Sequence, residues 1–150
     1  KRRTKDQPNP HPELMCKSGG PNEIWCFSDE NYSTIKKLIE TREKLKPYIV
    51  KYMDIASETG SPIMRPMFYD FYEDEICYTL EDQYMFGADI LFAPIMEKGQ
   101  VERKVYLPEG KWVSVIDKKV YGGKQWLTVH AELNQYIAFV KEGSEVLAAF

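Results

Sequence analysis

The residues best suited to chemistry are the carboxylates Asp70, Glu73, Asp74, Glu75, Glu81 and Asp82, crowded between positions 70 and 82. Two carboxylates whose environments drive their pKa values apart are the working parts of a glycosidase. Charge runs of this kind also occur on solvated loops, and a loop between a helix and a first strand is the favoured reading here. Asp82 and Gln83 stand apart, since they immediately precede the apolar Tyr84-Met85-Phe86-Gly87. That position predicts two side chains buried or half-buried at a strand start, bonding backbone. His11 lies in a Pro10-His11-Pro12 turn and His130 ends a strand, and neither has a ligand at metal-binding spacing. No nucleophile elbow is present, and the glycines form neither a phosphate loop nor a dinucleotide fingerprint. The residues alone therefore contain no complete catalytic constellation.

The elements that must position these residues fall into three regions. Residues 1–29 are broken by Pro8, Pro10, Pro12, Gly19, Gly20 and Pro21 and predict an irregular segment. Between 29 and 59, Ile35, Leu38, Ile39, Leu45, Tyr48, Ile49, Tyr52, Met53 and Ala56 recur at three- and four-residue steps. They predict an amphipathic helix of about 45 Å, capped by Ser28 or Asp29, stopped at Gly60, and kinked or broken at Pro47. Its apolar face is expected to need a partner outside this chain. From 88 onward, runs at 88–95, 103–107, 112–116, 126–130 and 136–141 read as strands separated by glycine and proline turns. Val105/Leu107, Val113/Val115, Leu127/Val129 and Ile137/Phe139 alternate as half-buried antiparallel strands do, and their spacing fits a β-sandwich.

The 150 residues carry 20 Lys+Arg against 23 Asp+Glu, a net charge of −3, which excludes a basic nucleic-acid grip as the default. No apolar run approaches the roughly 20 residues that cross a bilayer. Three widely spaced cysteines, Cys16, Cys26 and Cys77, argue against a disulfide framework. With a polar start at residues 1–10, they make the cytoplasm the expected compartment. The first residue is Lys, which suggests a cut chain, although processing also explains it.

Several words then align in order and spacing with one family. They are Gly60-Ser61-Pro62-Ile63-Met64-Arg65-Pro66-Met67-Phe68, Asp82-Gln83-Tyr84-Met85-Phe86-Gly87-Ala88-Asp89-Ile90-Leu91-Phe92-Ala93-Pro94-Ile95, Val105-Tyr106-Leu107-Pro108-Glu109-Gly110-Lys111-Trp112 and Tyr121-Gly122-Gly123. Phe139-Val140-Lys141-Glu142-Gly143-Ser144 follows, and Pro21-Asn22-Glu23-Ile24-Trp25 precedes them. From about Gly20 to the end the chain resembles glycoside hydrolase family 31, the retaining α-glucosidases and α-xylosidases.

The resemblance implies an α+β chain: the last helices of a (β/α)8 barrel followed by an antiparallel β-sandwich. Residues 1–66 would close the barrel, and 67–150 would form the crossover and the proximal C-terminal sandwich. It implies hydrolysis of α-linked oligosaccharides by aspartates upstream of Lys1. No catalytic, substrate or metal residue is assigned in this chain, and no cofactor. Arg65, Pro66, Asp82, Gln83, Gly87, Pro94, Gly110 and Trp112 are expected to act as structural motif residues. The isolated chain is expected to be inactive, without nucleic-acid or membrane partners, and its aromatic content is compatible with a homo-oligomer. Tyr72, Ser114, Ile116 and Ile137 depart from the common family pattern. The alternative is a stand-alone carbohydrate-binding or interaction module, with Trp112, Tyr121 and Trp126 stacking sugar rings.

Overall fold

The computed structural model describes residues 24–26 and 28–150. The readings placed on residues 1–10, His11 and Cys16 lie outside them. The chain divides into two compact units, Lys1–Glu43 and Lys44–Phe150.

In the first unit a 3₁₀ turn, Ile24–Cys26, precedes the start of helix α1, Asp29–Thr59. Ser28 is the cap: its Oγ accepts from the Asn31 amide at 3.4 Å and its carbonyl accepts from Tyr32 N–H at 2.8 Å. These bonds satisfy donors that no earlier helical turn can reach. Along this stretch Leu38 and Ile39 are exposed.

In the second unit α1 continues unbroken past Pro47 and ends as expected at Gly60, whose φ of +77° suits the left-handed cap. The break into two helices does not occur. β1 (Met64–Pro66) leads directly into a single-turn α2 (Met67–Asp70), and a 3₁₀ turn (Glu75–Thr79) follows. β2 (Tyr84–Phe86), β3 (Ile90–Phe92), β4 (Glu102–Leu107), β5 (Lys111–Ser114), β6 (Val120–Gly122), β7 (Gln125–His130) and β8 (Ala138–Lys141) complete the strands. A last 3₁₀ turn spans Glu145–Ala149.

Among the described residues every strand pairing is antiparallel. One sheet has six strands in the order β1-β2-β3-β8-β5-β6, and β4 pairs with β7 in a second sheet. The α+β class and the antiparallel sheets agree with the sequence reading. β4 and β7 extend the runs 103–107 and 126–130 by one residue each, whereas only Ile90–Phe92 of 88–95 is strand and 136–141 narrows to Ala138–Lys141. Two strands had no apolar run to announce them: β1, at the boundary between barrel end and crossover, and β6, which ends in the glycine turn signal.

The larger sheet is covered on both faces, and the period of two decides which side chain goes where. Leu91, Ala93, Trp112 and Phe139 join a core with Val105 and Leu107 of the second sheet. Ile90 and Val140 join the opposite core, with Leu45 and Ala149 buried beside Tyr48, Ile49 and Phe150. This corrects one expectation. Part of the α1 face, Leu45 to Tyr52, has its partner inside the chain, because the central strands are apolar on both sides. Val50 and Met53, on the same helix, remain exposed.

Candidate functional site

Followed residue by residue, the acidic run disperses. Asp70 sits five residues after Arg65, and the short α2 turns its carboxylate back so that Oδ1 accepts from Arg65 Nη1 at 2.7 Å. Arg65 is buried, donates through Nε to the Pro62 carbonyl at 2.8 Å, and lies between the rings of Tyr52 and Tyr69, 5.4 and 5.2 Å from their centroids. Stacking and an ion pair together hold a charge that would otherwise be costly to bury. Pro66, exposed, ends β1 and caps α2 with an extended backbone.

Asp74 caps the following 3₁₀ turn by accepting from Ile76 N–H and also accepts from the Tyr106 hydroxyl at 2.7 Å. Burial and the Asp74 carboxylate push the Tyr106 phenol well above its ordinary value. Burial and then Asp74 raise the Cys77 thiol to about 12. Both groups stay protonated at neutral pH and are not nucleophiles. Glu73, Glu75 and Glu81 are exposed. Asp70 and Asp74 thus serve local structure, whereas the exposed Glu73, Glu75 and Glu81 fit the plainer reading of solvated charge, on a segment that is a helical turn plus a 3₁₀ turn rather than an open loop.

Gln83 fulfils its expectation. Fully buried beside β4, it donates through Nε2 to the Tyr106 carbonyl at 2.8 Å and accepts at Oε1 from the Tyr106 amide at 3.0 Å. An amide side chain thereby takes the place of a strand neighbour. Asp82 does not: its side chain is exposed, and its Oδ2 stands 2.7 Å from Nη2 of the buried Arg103. Arg103 also donates through Nη1 to the carbonyls of Asp82 (2.9 Å) and Pro94 (2.6 Å). Pro94 is therefore a carbonyl anchor at the end of β3, and Arg103 is the residue that binds these words together.

Gly87 has φ +61°, and a Cβ there would lie 2.7 Å from Tyr52 Cε2, with the Tyr48 hydroxyl closer still. Tyr48 donates to the Phe86 carbonyl at 3.0 Å and accepts from the Asp89 amide at 3.1 Å, so the helix pins the β2–β3 turn. Trp112 is fully buried and donates through Nε1 to the Pro108 carbonyl at 2.9 Å across the turn that holds Gly110, φ +125°. Tyr48, Arg103 and the Asp74–Tyr106 bond escaped the sequence reading. Tyr48 looked like one more member of an apolar helix face, and Arg103 like an ordinary strand residue.

The aromatic platform imagined for sugar stacking does not assemble. Trp112 is core, and the Tyr121 hydroxyl donates to Asp117 at 2.7 Å. Trp126 alone of the three stands half exposed, 50%, against Tyr106 at a ring separation of 5.3 Å. Two open grooves flank this region. One, of about 560 Å³, is lined by Asp74, Tyr106 and Lys124 among others. The other, of about 700 Å³, is lined by Asp82, Arg103, Lys104 and Trp126 among others. Among the described residues no cluster of His, Cys, Asp or Glu could hold a metal ion. No described helix is long and apolar enough to cross a membrane.

Comparisons with known proteins agree with this architecture. Alpha-glucosidase 2 of Bacillus thermoamyloliquefaciens is 36% identical over 124 residues, 83% of this chain and 16% of that protein. A GH31 alpha-xylosidase from a soil metagenome, crystallised with xylose, superposes with a TM-score of 0.85 at 43% identity, covering 90% of this chain and 20% of that one. A GH31 dextranase of Flavobacterium johnsoniae, complexed with glucose, gives 0.78 at 41% identity over 84% of this chain and 16% of its own. The chain thus spans about a sixth to a fifth of the length of these relatives. Residues 60–146 match the glycosyl hydrolase family 31 C-terminal domain, and with the words of that match now seen as the Arg65, Gln83, Gly87 and Trp112 anchor points, the chain belongs to glycosyl hydrolase family 31.

Proposed function

We propose that this chain is the C-terminal part of a retaining α-glycosidase acting on O-glycosyl bonds of α-glucosides or α-xylosides, in the cytoplasm. Residues 1–66 close a (β/α)8 barrel, and 67–150 form the crossover and the sandwich that buttresses it. The two catalytic aspartates lie upstream. Such a pair must stand about 5–5.5 Å apart across the sugar, a geometry that barrel strand ends arrange. Arg65, Pro66, Asp82, Gln83, Gly87, Pro94, Gly110 and Trp112 hold the supporting domain in shape.

One observation carries this reading. Large apolar side chains, Met64, Phe68, Tyr72 and Tyr78, stay exposed beside a well-filled core, with Phe68 and Tyr78 already stacked at 5.2 Å. Exposed apolar area of that kind marks a surface that rests on something else. The relatives are about five times as long as this chain, since 83–90% of it covers 16–20% of them, which leaves room for the barrel proposed here. The test is turnover of 4-nitrophenyl α-D-glucoside and α-D-xyloside. A polypeptide joining this chain to its upstream barrel is expected to hydrolyse one or both. The 150 residues alone are expected to match buffer, and hydrolysis by them alone overturns the proposal.

A further inference from the structure

We infer that the groove beside Trp126 is a binding site for a pyranose ring of a neutral oligosaccharide. The inference rests on the chemistry of the groove and not on the hydrolase reading, so it stands or falls separately.

The indole is placed by register. Trp126 on β7 lies directly opposite Tyr106 on β4, both on the outer face of the two-stranded sheet, and the neighbouring outer pair is Lys104 with Thr128. Tyr106 is itself held at both ends, its backbone by Gln83 and its hydroxyl by Asp74. Trp126 therefore rests on a fixed ring while half its surface stays open. A braced, half-exposed indole loses little freedom when a flat apolar partner lies on it.

The walls fix the ligand class. The cavity of about 700 Å³ lies within the range of small-molecule sites and is lined by Glu81, Asp82, Gln100, Arg103 and Lys104 as well as Trp126. Three carboxylates, Glu81, Asp82 and Glu97, and two cations, Arg103 and Lys104, share the lining with one indole. An anion would meet Glu81, Asp82 and Glu97, a cation would meet Lys104, and a hydrocarbon would take water from Glu81, Glu97 and Lys104 without replacing it. A pyranose presents an apolar C–H face for the indole and a rim of hydroxyls that both donate and accept. Asp82 is suited to accept, because Arg103 holds it from one side while more than half of its side chain stays exposed. Lys104 can only donate, and the Gln100 amide offers both roles.

The experiment is a ¹H–¹⁵N NMR titration of the 150-residue chain with maltotriose, isomaltotriose and cellotriose. The chain has three Trp indole N–H groups to follow. Millimolar binding is expected, with the Trp126 indole and the Lys104 and Gln100 amides shifting together while the buried Trp112 indole stays still. W126A is expected to weaken binding at least about tenfold, the scale of one lost stacking contact. W126F keeps a ring and is expected to retain most of the affinity, which separates stacking from loss of fold. K104A, at an exposed position, is expected to weaken binding about two- to threefold. No shift at 50-fold molar excess up to about 50 mM sugar, a threshold well beyond millimolar affinity, overturns the site. So do shifts confined to other residues, or shifts unchanged in W126A.

Discussion

At the residue scale the family words are anchor points, each with its own measurable effect. Gly87 is the sharpest. Alanine there must adopt φ +61° and push its methyl into Tyr48 and Tyr52, and the two penalties together are about 3 kcal/mol. Chemical denaturation of Gly87→Ala should show that loss, and an unchanged midpoint would mean that the helix does not press on the turn. Gln83→Leu leaves the Tyr106 amide and carbonyl buried without partners, and about 2–3 kcal/mol should be lost in the same assay. His130 gives a pH-dependent case. Its Nε2 is 2.9 Å from Glu132 and its Nδ1 3.6 Å from Glu102; the bond to Glu132 outweighs the opposing desolvation, and the charges of Glu132 and Glu102 add to it, so its pKa is raised above 6.5. A raised folded-state pKa favours folding when the imidazole is protonated. That contribution is therefore complete below pH 6.5 and fades as pH rises through the folded-state value. An NMR titration of the imidazole should place the midpoint above 6.5, Glu132→Gln should lower it, and the stability gap between the two proteins should be wider at pH 6 than at pH 8.

At the element scale, α1 shows what patterning reveals and what it hides. The three- and four-residue steps predicted Asp29–Thr59, and Ser28 and Gly60 marked the ends, because capping chemistry and helical period are local. The site of packing is not local. Nothing in Leu45, Tyr48 or Ile49 says that their partner is a sheet formed 40 residues later, roughly the separation of Tyr48 from Phe86 and Asp89. The strands had the same limit. The run 88–95 showed a strand but no faces, because Ile90 and Leu91 are both buried on opposite sides, and which face belonged to which core depended on β8 inserting between β3 and β5. β1 and β6 are three residues each, and at that length pairing is imposed by neighbours rather than by propensity. The anchor residues were legible as words, whereas their partners Arg103, Tyr48 and Asp74 were not, since a hydrogen bond across 20 or more positions leaves no spacing to read. Pro47 offers a test of the helix itself. It removes one backbone donor yet α1 continues through it, so Pro47→Ala should raise stability by about 1–2 kcal/mol once the lost chain stiffening is deducted.

At the scale of the whole molecule, surfaces that look wrong for an isolated domain become sensible if the domain is one wall of a larger enzyme. Phe68 separates the two possibilities. It is 41% exposed and stacks on Tyr78 at 5.2 Å with planes only 9° apart, while the Tyr78 hydroxyl donates to the Tyr72 carbonyl at 3.0 Å. In the 150-residue chain Phe68→Ser removes one solvent-facing stack, and the loss should stay near 1 kcal/mol. Against a barrel, the same ring is enclosed from the other side, and truncating a buried aromatic at an interface commonly costs more than about 2 kcal/mol. Thermal unfolding of the chain alone and of the polypeptide that includes the barrel measures both. A larger loss in the longer protein places Phe68 in the contact between barrel and sandwich. Equal losses in the two would leave Phe68 in water in both settings, and the supporting role would then have to rest on a different part of this surface, with Val50 and Met53 of α1 the next residues to truncate.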